Sequence, residues 1–238
     1  MENKELLKKC CLDMNIDLSD EKADKFMRYK DLLLEWNEKI NLTAITDEKE
    51  IVIKHFADCI SIGSKFKFEK GASIIDVGTG AGFPGVPVKI VFDDVKMTLL
   101  DSLNKRITFL EEIAKELSLK NVTCIHSRAE DGGQNPDLRE SFDYCVSRAV
   151  ARISVLCEYC LPFVKVGGTF ISLKGPDAEN EVKDGENAIK KLGGKVEDIL
   201  DVKIPFSDLD HKLVIIKKVT PTPKAYPRKA GTASKKPL

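Results

Sequence analysis

The spacing of apolar residues changes near residue 70, and this change divides the chain into two predicted regions. In the first region apolar residues recur every three or four positions, as on one face of a helix. They include Phe26, Tyr29, Leu33, Trp36 and Ile40. Ser19 precedes two acids and has the position of a helix N-cap, and Asp47 with Glu50 has the spacing of a second cap. The pattern predicts an N-terminal helical cap over residues 1–68.

After Gly71, short β-rich runs alternate with helical periods. The runs are 73–77, 97–100, 122–125, 142–146 and 169–173. Strands that alternate with helices predict a parallel sheet with helices on both faces. Two final runs, 196–204 and 213–219, are joined by a short link and predict a hairpin. We therefore expect an α/β, Rossmann-like domain with a mostly parallel, seven-stranded sheet over residues 69–220.

The composition favours a folded, cytoplasmic protein without a metal centre. The 238 residues are 42% hydrophobic, and no apolar run approaches the ~20 residues that span a bilayer. The N-terminus lacks a secretion signal, so we expect a cytoplasmic location and no membrane partner. The seven cysteines lack a disulfide-framework spacing, and Cys157 and Cys160 lack the two further ligands that zinc needs. We expect reduced thiols, no bound metal and, since nothing demands a dimer, a monomer.

Charge is balanced overall but unevenly distributed. Residues 212–238 contain eight basic residues and no acid, which leaves 30 basic and 38 acidic residues in 1–211. A basic end on an acidic body indicates a polyanionic partner. Candidate RNA contacts are Arg228, Lys229, Lys235 and Lys236 in a basic tail over residues 221–238, and Lys174 after the fifth strand. The alternatives are a mobile, solvated tail and, for Lys174, a solvated loop.

A glycine-rich loop follows the first predicted strand. Gly78, Gly80 and Gly82 allow a sharp turn and let a ligand lie against bare backbone. Asp76 lies inside the strand, where class I methyltransferases hold an acid near the amino-acid end of their cofactor. Asp101 ends the second strand, where a carboxylate can accept hydrogen bonds from both hydroxyls of a ribose. With the terminal hairpin, these features predict a class I methyltransferase that binds S-adenosylmethionine.

Each signal has an alternative interpretation. Residues 80–85 also match the GxGxxG pattern of dinucleotide-binding proteins, and Asp101 would serve NAD equally well. An NAD-dependent oxidoreductase is therefore an alternative, although no second domain is evident and the hairpin fits it poorly. Taken singly, Asp76 could instead be a carboxylate that caps the loop, and Asp101 could be the N-cap of the next helix.

Several segments resemble the bacterial glucose-inhibited division protein B family, the 16S ribosomal RNA guanine-N7 methyltransferases. The matching segments are 34–43, 54–58, 76–84, 127–130, 147–152 and 226–232, so the resemblance covers nearly the whole chain. It implies that S-adenosylmethionine is contacted by Gly78, Phe83, Ala129, Glu130 and Arg148, with Asp101 on its ribose. Cys59 and Ala233 depart from the serine and proline expected at their positions, which puts only the local conformation of the tail in doubt.

The resemblance also implies the substrate, a guanine in the decoding-centre loop of 16S rRNA, presented by the 30S subunit or an assembly intermediate. Attack by N7 needs no prior deprotonation, so positioning should dominate catalysis. The chain lacks the Asn/Asp-Pro-Pro-Tyr/Phe motif of amine methylation and the Pro-Cys nucleophile of pyrimidine C5 methylation. These absences fit a ring-nitrogen or an oxygen acceptor without choosing between them. Cys145 is expected to be buried and inert, and we assign His55 no catalytic role.

Arg148 at the end of the fourth strand could hold the cofactor, a phosphate or guanine O6, or could pair with a neighbouring acid. Two further functions remain open for the whole chain. A ribosome-assembly factor would not need the glycine loop, and a methyltransferase of small molecules would leave the basic tail unexplained. Deletion of residues 225–238 is expected to weaken RNA binding and to spare cofactor affinity.

Overall fold

The computed structural model describes residues 1–148 and 150–238, and a seven-stranded sheet forms the centre of this part of the chain. The strands are β1 Ser73–Val77, β2 Lys96–Asp101, β3 Val122–His126, β4 Phe142–Arg148, β5 Val164–Lys174, β6 Gly194–Lys203 and β7 Asp210–Lys218. Their order is β3-β2-β1-β4-β5-β7-β6. Strands β1 to β5 are parallel, and β7 is antiparallel to β5 and β6. The predicted parallel sheet and terminal hairpin are thereby confirmed.

Helices pack on both faces of the sheet. They are α1 Asn3–Asp13, α2 Asp20–Ile40, α3 Glu48–Glu50, α4 Asp58–Ile60, α5 Ile62–Lys65, α6 Gly85–Val91, α7 Asn104–Glu116, α8 Ala129–Gln134, α9 Ile153–Cys160, α10 Ala178–Asp184, α11 Glu186–Lys191 and α12 Thr232–Lys235. One hydrophobic core lies beneath α1, α2, α6 and α7, and a second lies beneath α9 and α11. No helix among the described residues has the length and apolar character needed to cross a membrane.

The predicted helix caps are present at both positions. The Ser19 side chain accepts a hydrogen bond from Lys22 N at 3.3 Å, and Asp47 Oδ1 accepts one from Glu50 N at 2.9 Å. The helix that Asp47 begins differs from the expected one, because a π-helical segment, Ile51–Ala57, separates α3 from α4. Such segments are frequent at functional sites.

The N-terminal helices pack directly onto the glycine loop. Phe26 and Tyr29 of α2 are fully buried, and their ring centroids lie 5.1 and 5.2 Å from that of Phe56 in the π-helical segment. The Tyr29 ring also lies 5.6 Å from the ring of Phe83, and its hydroxyl donates to the carbonyl of Ala81. The cap therefore holds the loop as well as covering the sheet.

The tail docks on the protein. Arg139 donates hydrogen bonds to Thr222 O at 2.7 Å and to Tyr226 O at 2.8 Å, and Gln134 Nε2 donates to Pro227 O at 2.8 Å. The tail is therefore neither a solvated end nor a segment that needs RNA to become ordered. Side chains of α8 and of the following turn form hydrogen bonds with its backbone carbonyls. These contacts join distant parts of the chain, so the local composition of the tail did not indicate them.

Candidate functional site

The three glycines of the loop after β1 have the backbone conformation that glycine favours. Their φ angles are +73° at Gly78, +62° at Gly80 and +98° at Gly82. A Cβ atom at Gly82 would lie 2.6 Å from the Tyr29 hydroxyl, whereas one at Gly80 would meet no atom within 4 Å. Gly82 therefore permits close packing beneath the loop, and Gly80 leaves open space above it.

Asp76 supports this loop from within the protein. The carboxylate is fully buried, and its Oδ2 accepts hydrogen bonds from Thr79 Oγ1 at 2.6 Å and from Gly85 N at 2.8 Å. Burial raises the pKa of Asp76 to about 7. These contacts match the loop-capping alternative for Asp76, and the residue shapes the loop from below.

A cavity of about 610 Å³ opens above the loop at the carboxyl ends of the parallel strands, within the size range of small-molecule sites. Of the residues predicted to bind the cofactor, Gly78, Gly80, Phe83, Asp101, Ala129, Glu130 and Arg148 line it. Asp76 and Gly82 do not, because they lie beneath the loop.

Asp101 joins the loop to the floor of the cavity. Its Oδ2 accepts a hydrogen bond from Gly80 N at 2.9 Å, and its Oδ1 accepts one from Leu103 N at 2.9 Å. Arg106 Nη1 lies 3.3 Å from Oδ2. Oδ1 accepts only one hydrogen bond and keeps a second lone pair, so Asp101 can bond the loop and still accept from a ligand hydroxyl.

The tail completes the wall of the cavity near Glu130. Glu130 is buried, and its Oε1 accepts a hydrogen bond from Gly231 N at 2.9 Å. Gly231 and Ser234 of the tail line the cavity together with Tyr159 of α9. Part of the predicted RNA-binding tail is thus a structural element of this site.

Arg148 at the end of β4 takes part in a buried network. Its Nη1 donates to Asp58 Oδ2 at 2.8 Å and to Lys54 O at 3.0 Å. Asp58 Oδ1 also pairs with His211 Nδ1 at 2.5 Å. Burial alone would raise the pKa of Asp58, but the hydrogen bond from His211 and the charge of Arg148 outweigh it and lower that pKa. The ion-pair alternative for Arg148 is therefore realised, while the residue also lines the cavity. Ala149, which follows it in the matched segment, lies outside the described residues.

His55 lies at the same end of the cavity. Its ring stacks on Phe83 with centroids 4.6 Å apart, and the guanidinium carbon of Arg148 lies 4.9 Å from the Phe83 centroid. Burial lowers the pKa of His55 to about 4, and the charge of Arg148 acts in the same direction. His55 is packed, as expected, but it also contributes to the cavity wall, which the helical period of its segment did not indicate.

The predicted RNA contacts fall into two groups. Lys174 Nζ donates to Ala151 O at 2.8 Å and pairs with Glu181 at 2.7 Å, and Arg228 pairs with Glu158 at 2.6 Å. These two cations hold protein elements together. The other three, Lys229, Lys235 and Lys236, are exposed.

The cysteines have structural positions. Six of the seven, including Cys145, Cys157 and Cys160, are buried as free thiols, and Cys124 is partly buried. Across residues 1–148 and 150–238, no group of three or more His, Cys, Asp or Glu side chains is arranged to hold a metal ion.

The chemistry of the cavity lining fits S-adenosylmethionine. Bare backbone at Gly78 and Gly80 suits close approach of a ligand, and Oδ1 of Asp101 can accept from a ribose hydroxyl. Arg148 offers a cation that can pair with a carboxylate of the ligand. Fold and site together define a class I S-adenosylmethionine-dependent methyltransferase.

Comparisons with known proteins specify the family. A family model described as GidB, rRNA small subunit methyltransferase G, matches residues 22–209. The chain is 57% identical over 234 residues to the Ribosomal RNA small subunit methyltransferase G of Clostridium perfringens strain SM101, covering 98% of each chain. It is 53% identical over 239 residues to the protein of that name from Alkaliphilus metalliredigens, covering 100% of each. The chain belongs to this family.

Solved structures share the fold at low identity. A SAM-dependent methyltransferase from Aquifex aeolicus superposes with a TM-score of 0.51 at 19% identity, covering 70% of this chain and 92% of that one. M. jannaschii TYW2 in complex with AdoMet gives a TM-score of 0.51 at 15% identity, covering 65% and 72%. The predicted fold class is confirmed by these likenesses and by the sheet order.

Proposed function

We propose that this chain transfers the methyl group of S-adenosylmethionine to N7 of a guanine in the decoding-centre loop of 16S rRNA. The nearly full-length likeness to relatives named ribosomal RNA small subunit methyltransferase G carries the proposal. The substrate is the 30S subunit or an assembly intermediate, and the enzyme acts as a cytoplasmic monomer.

Catalysis of this reaction depends on binding and orienting the two reactants and does not require a general base. The N7 lone pair forms the new N–C bond while the S–CH₃ bond breaks with its electrons remaining on sulfur, so no proton is transferred. With a pKa of about 4, His55 is neutral near pH 7, and its ring helps to form a flat wall with Phe83. Arg148 and the loop glycines position the reactants, which is the main source of rate at such a centre.

Three exposed lysines supply a surface for the RNA. Lys229 precedes the cavity-lining Gly231, and Lys235 and Lys236 follow Ser234, which also lines the cavity. Phosphates held by these lysines would lie beside the opening of the cavity. Each such contact contributes to affinity through counterion release and makes binding depend on salt.

Methyl transfer to isolated ribosomal particles tests the reaction. Purified protein and radiolabelled S-adenosylmethionine are incubated with 30S subunits, 50S subunits or deproteinised 16S rRNA, all from a strain that lacks its own copy of the enzyme. The RNA is then cleaved with borohydride and aniline, which break the chain at N7-methylguanosine, and the position is mapped by primer extension. Label in 30S subunits at one cleavable guanosine is expected. Label that resists cleavage would show another acceptor atom, and no label in any RNA would contradict an RNA substrate.

Charge substitutions test the lysine surface. The triple variant Lys229→Ala, Lys235→Ala and Lys236→Ala is compared with Lys65→Ala, Lys67→Ala and Lys96→Ala, which removes the same charge from three exposed lysines that do not line the cavity. The tail variant should lower the slope of log affinity against log salt by about 0.7 to 0.9 per lost contact, whereas the control should keep it. Equal slopes for the two variants would show that the tail lysines do not contact the RNA.

A further inference from the structure

His55 connects Arg148 to Thr43 at one end of the cavity. Arg148 Nη2 lies 3.2 Å from His55 Nδ1, and Thr43 Oγ1 lies 2.8 Å from His55 Nε2. Thr43 and Arg148 both line the cavity. The direction of each hydrogen bond in this chain follows from which groups can donate.

The arginine determines the tautomer of the histidine. A guanidinium only donates hydrogen bonds, so His55 Nδ1 must accept and cannot carry a proton. The ring proton is therefore on Nε2, and Nε2–H donates to Thr43 Oγ1.

The hydroxyl oxygen of Thr43 then has no acceptor capacity left. It accepts from His55 Nε2 at 2.8 Å and from Ile45 N at 3.0 Å, which use both lone pairs. Its own proton is donated to no atom of the described residues. A half-buried hydroxyl that can only donate therefore borders the cavity.

Arg148, which lines the same end of the cavity, also has free donors. Arg148 has five N–H groups, of which two on Nη1 and one on Nη2 are used by Asp58, Lys54 and His55. This leaves one N–H on Nη2 and the N–H on Nε. Asp58 is buried and already bonded to Arg148 and His211. The two acids that interact with Arg148, Asp58 and Asp76, are buried and do not line the cavity, so the free donors that border the cavity fit an anion.

We infer that the Thr43 hydroxyl donates to the amino-acid carboxylate of the cofactor and is a further cofactor-binding residue. The inference rests on the cofactor and is independent of the RNA substrate proposed above. Guanine O6 has two lone pairs, and N7 must keep its lone pair for the methyl group, so the base would accept at most two of the three free donors. A carboxylate has acceptor sites for all three, so the geometry favours the carboxylate over the base.

Titration calorimetry with two ligands tests the inference without RNA. The ligands are S-adenosylhomocysteine and 5′-deoxy-5′-(3-aminopropylthio)adenosine, which lacks only the carboxylate. The proteins are the wild type, Thr43→Val and Thr43→Ser. Because a hydrogen bond to a charged group is lost, Thr43→Val should weaken S-adenosylhomocysteine binding by about tenfold or more, with less than about twofold change for the second ligand. Thr43→Ser should bind both as the wild type does.

The control is Ser127→Ala. Ser127 lines the same cavity, but its hydroxyl already donates to Arg128 O at 3.0 Å, so its loss should have no effect that depends on the carboxylate. Equal weakening of both ligands by Thr43→Val would show a structural role and overturn the inference. Unchanged S-adenosylhomocysteine binding with loss of methyl transfer to RNA would assign the hydroxyl to the acceptor base and would also overturn it. If Thr43→Val does not fold, Thr43→Ala is measured with the same ligand pair and judged by the same difference.

Discussion

The guanidinium of Arg228 forms a forked ion pair with Glu158, whose side chain in α9 is completely buried. Arg228 Nε lies 2.9 Å from Oε1, Nη2 lies 2.6 Å from Oε2, and the backbone N–H of Arg228 donates to Oε1 at 2.8 Å. Three residues later, Gly231 N donates to Glu130 in the cavity wall. The basic tail is therefore connected to the cavity wall through two buried carboxylates.

Arg228→Ala should detach the tail and weaken cofactor binding. The substitution leaves Glu158 buried without its cation, and we expect the unfolding free energy to fall by about 3 kcal/mol, the low end for breaking a buried pair, because detachment lets water reach the carboxylate. Denaturant unfolding and S-adenosylhomocysteine calorimetry measure the two effects. Lys229→Ala removes an adjacent, exposed charge and should change neither quantity. If Arg228→Ala binds S-adenosylhomocysteine with wild-type affinity, the docked tail does not contribute to cofactor binding.

The same contacts change the expectation for a tail deletion. Removal of residues 225–238 would take Gly231 and Ser234 from the cavity wall as well as three exposed lysines from the surface. The deletion should therefore lower cofactor affinity and RNA affinity together. Only the triple lysine substitution described above can change RNA affinity without changing cofactor affinity.

Alanine substitutions at Gly80 and Gly82 should have opposite consequences for stability and binding. At Gly82 the new Cβ would lie 2.6 Å from the Tyr29 hydroxyl and 2.7 Å from Val86 Cγ2, so the backbone must shift and stability should fall by about 2–3 kcal/mol. At Gly80 only backbone strain is added, about 1 kcal/mol, but the methyl group enters the space above the loop. Thermal unfolding should therefore rank Gly82→Ala as the less stable, and calorimetry should show weaker S-adenosylhomocysteine binding by the still-folded Gly80→Ala. Wild-type binding by Gly80→Ala would place the ligand elsewhere.

Tyr29→Phe tests whether the helical cap holds the loop. The substitution keeps the ring packed against Phe56 and Phe83 and removes the donor to the Ala81 carbonyl. A buried carbonyl without its donor should cost about 1–3 kcal/mol. S-adenosylhomocysteine affinity should also fall, since Ala81 lines the cavity. Lower stability with unchanged affinity would limit Tyr29 to a role in folding.

Local signals in the sequence predicted the elements of the fold and the glycine loop. Strand β1 has the predicted bounds. Strand β5 begins at Val164 rather than at residue 169, because Val164 pairs with Phe142 before an irregular, unpaired stretch that contains Gly167 and Gly168. The Ser19 and Asp47 caps depend on side chains that bond backbone three residues away, so short spacing was sufficient to identify them.

Such local signals could not predict contacts between distant segments of the chain. Asp58, Arg148 and His211 meet across 153 residues of chain, and no spacing indicates that they do. The π-helical segment changes the direction of His55 relative to a regular helix, so its part in the cavity wall could not be predicted from a period of 3.6. The sequence indicates Arg228 only as a candidate RNA contact, because its buried partner, Glu158, is 70 residues away.

The buried carboxylate of Asp76 should make stability decrease as pH rises towards 8. Burial raises its pKa from the ordinary 3.8 to about 7 in the folded protein, so the folded state binds a proton that the unfolded state has released. The stabilisation is complete below the unfolded pKa and is lost as pH rises through 7, with a slope of about 1.4 kcal/mol per pH unit inside the window.

Asp76→Asn keeps an oxygen for Thr79 and Gly85 and cannot ionise. The unfolding free energy of both proteins is measured by denaturant at pH 5, 6, 7 and 8. The value for the variant minus the value for the wild type should rise by about 2–3 kcal/mol from pH 5 to pH 8. Other acids titrate in both proteins and cancel in the difference. Parallel curves for the two proteins would mean that Asp76 ionises near its ordinary pKa and that the loop tolerates a buried charge.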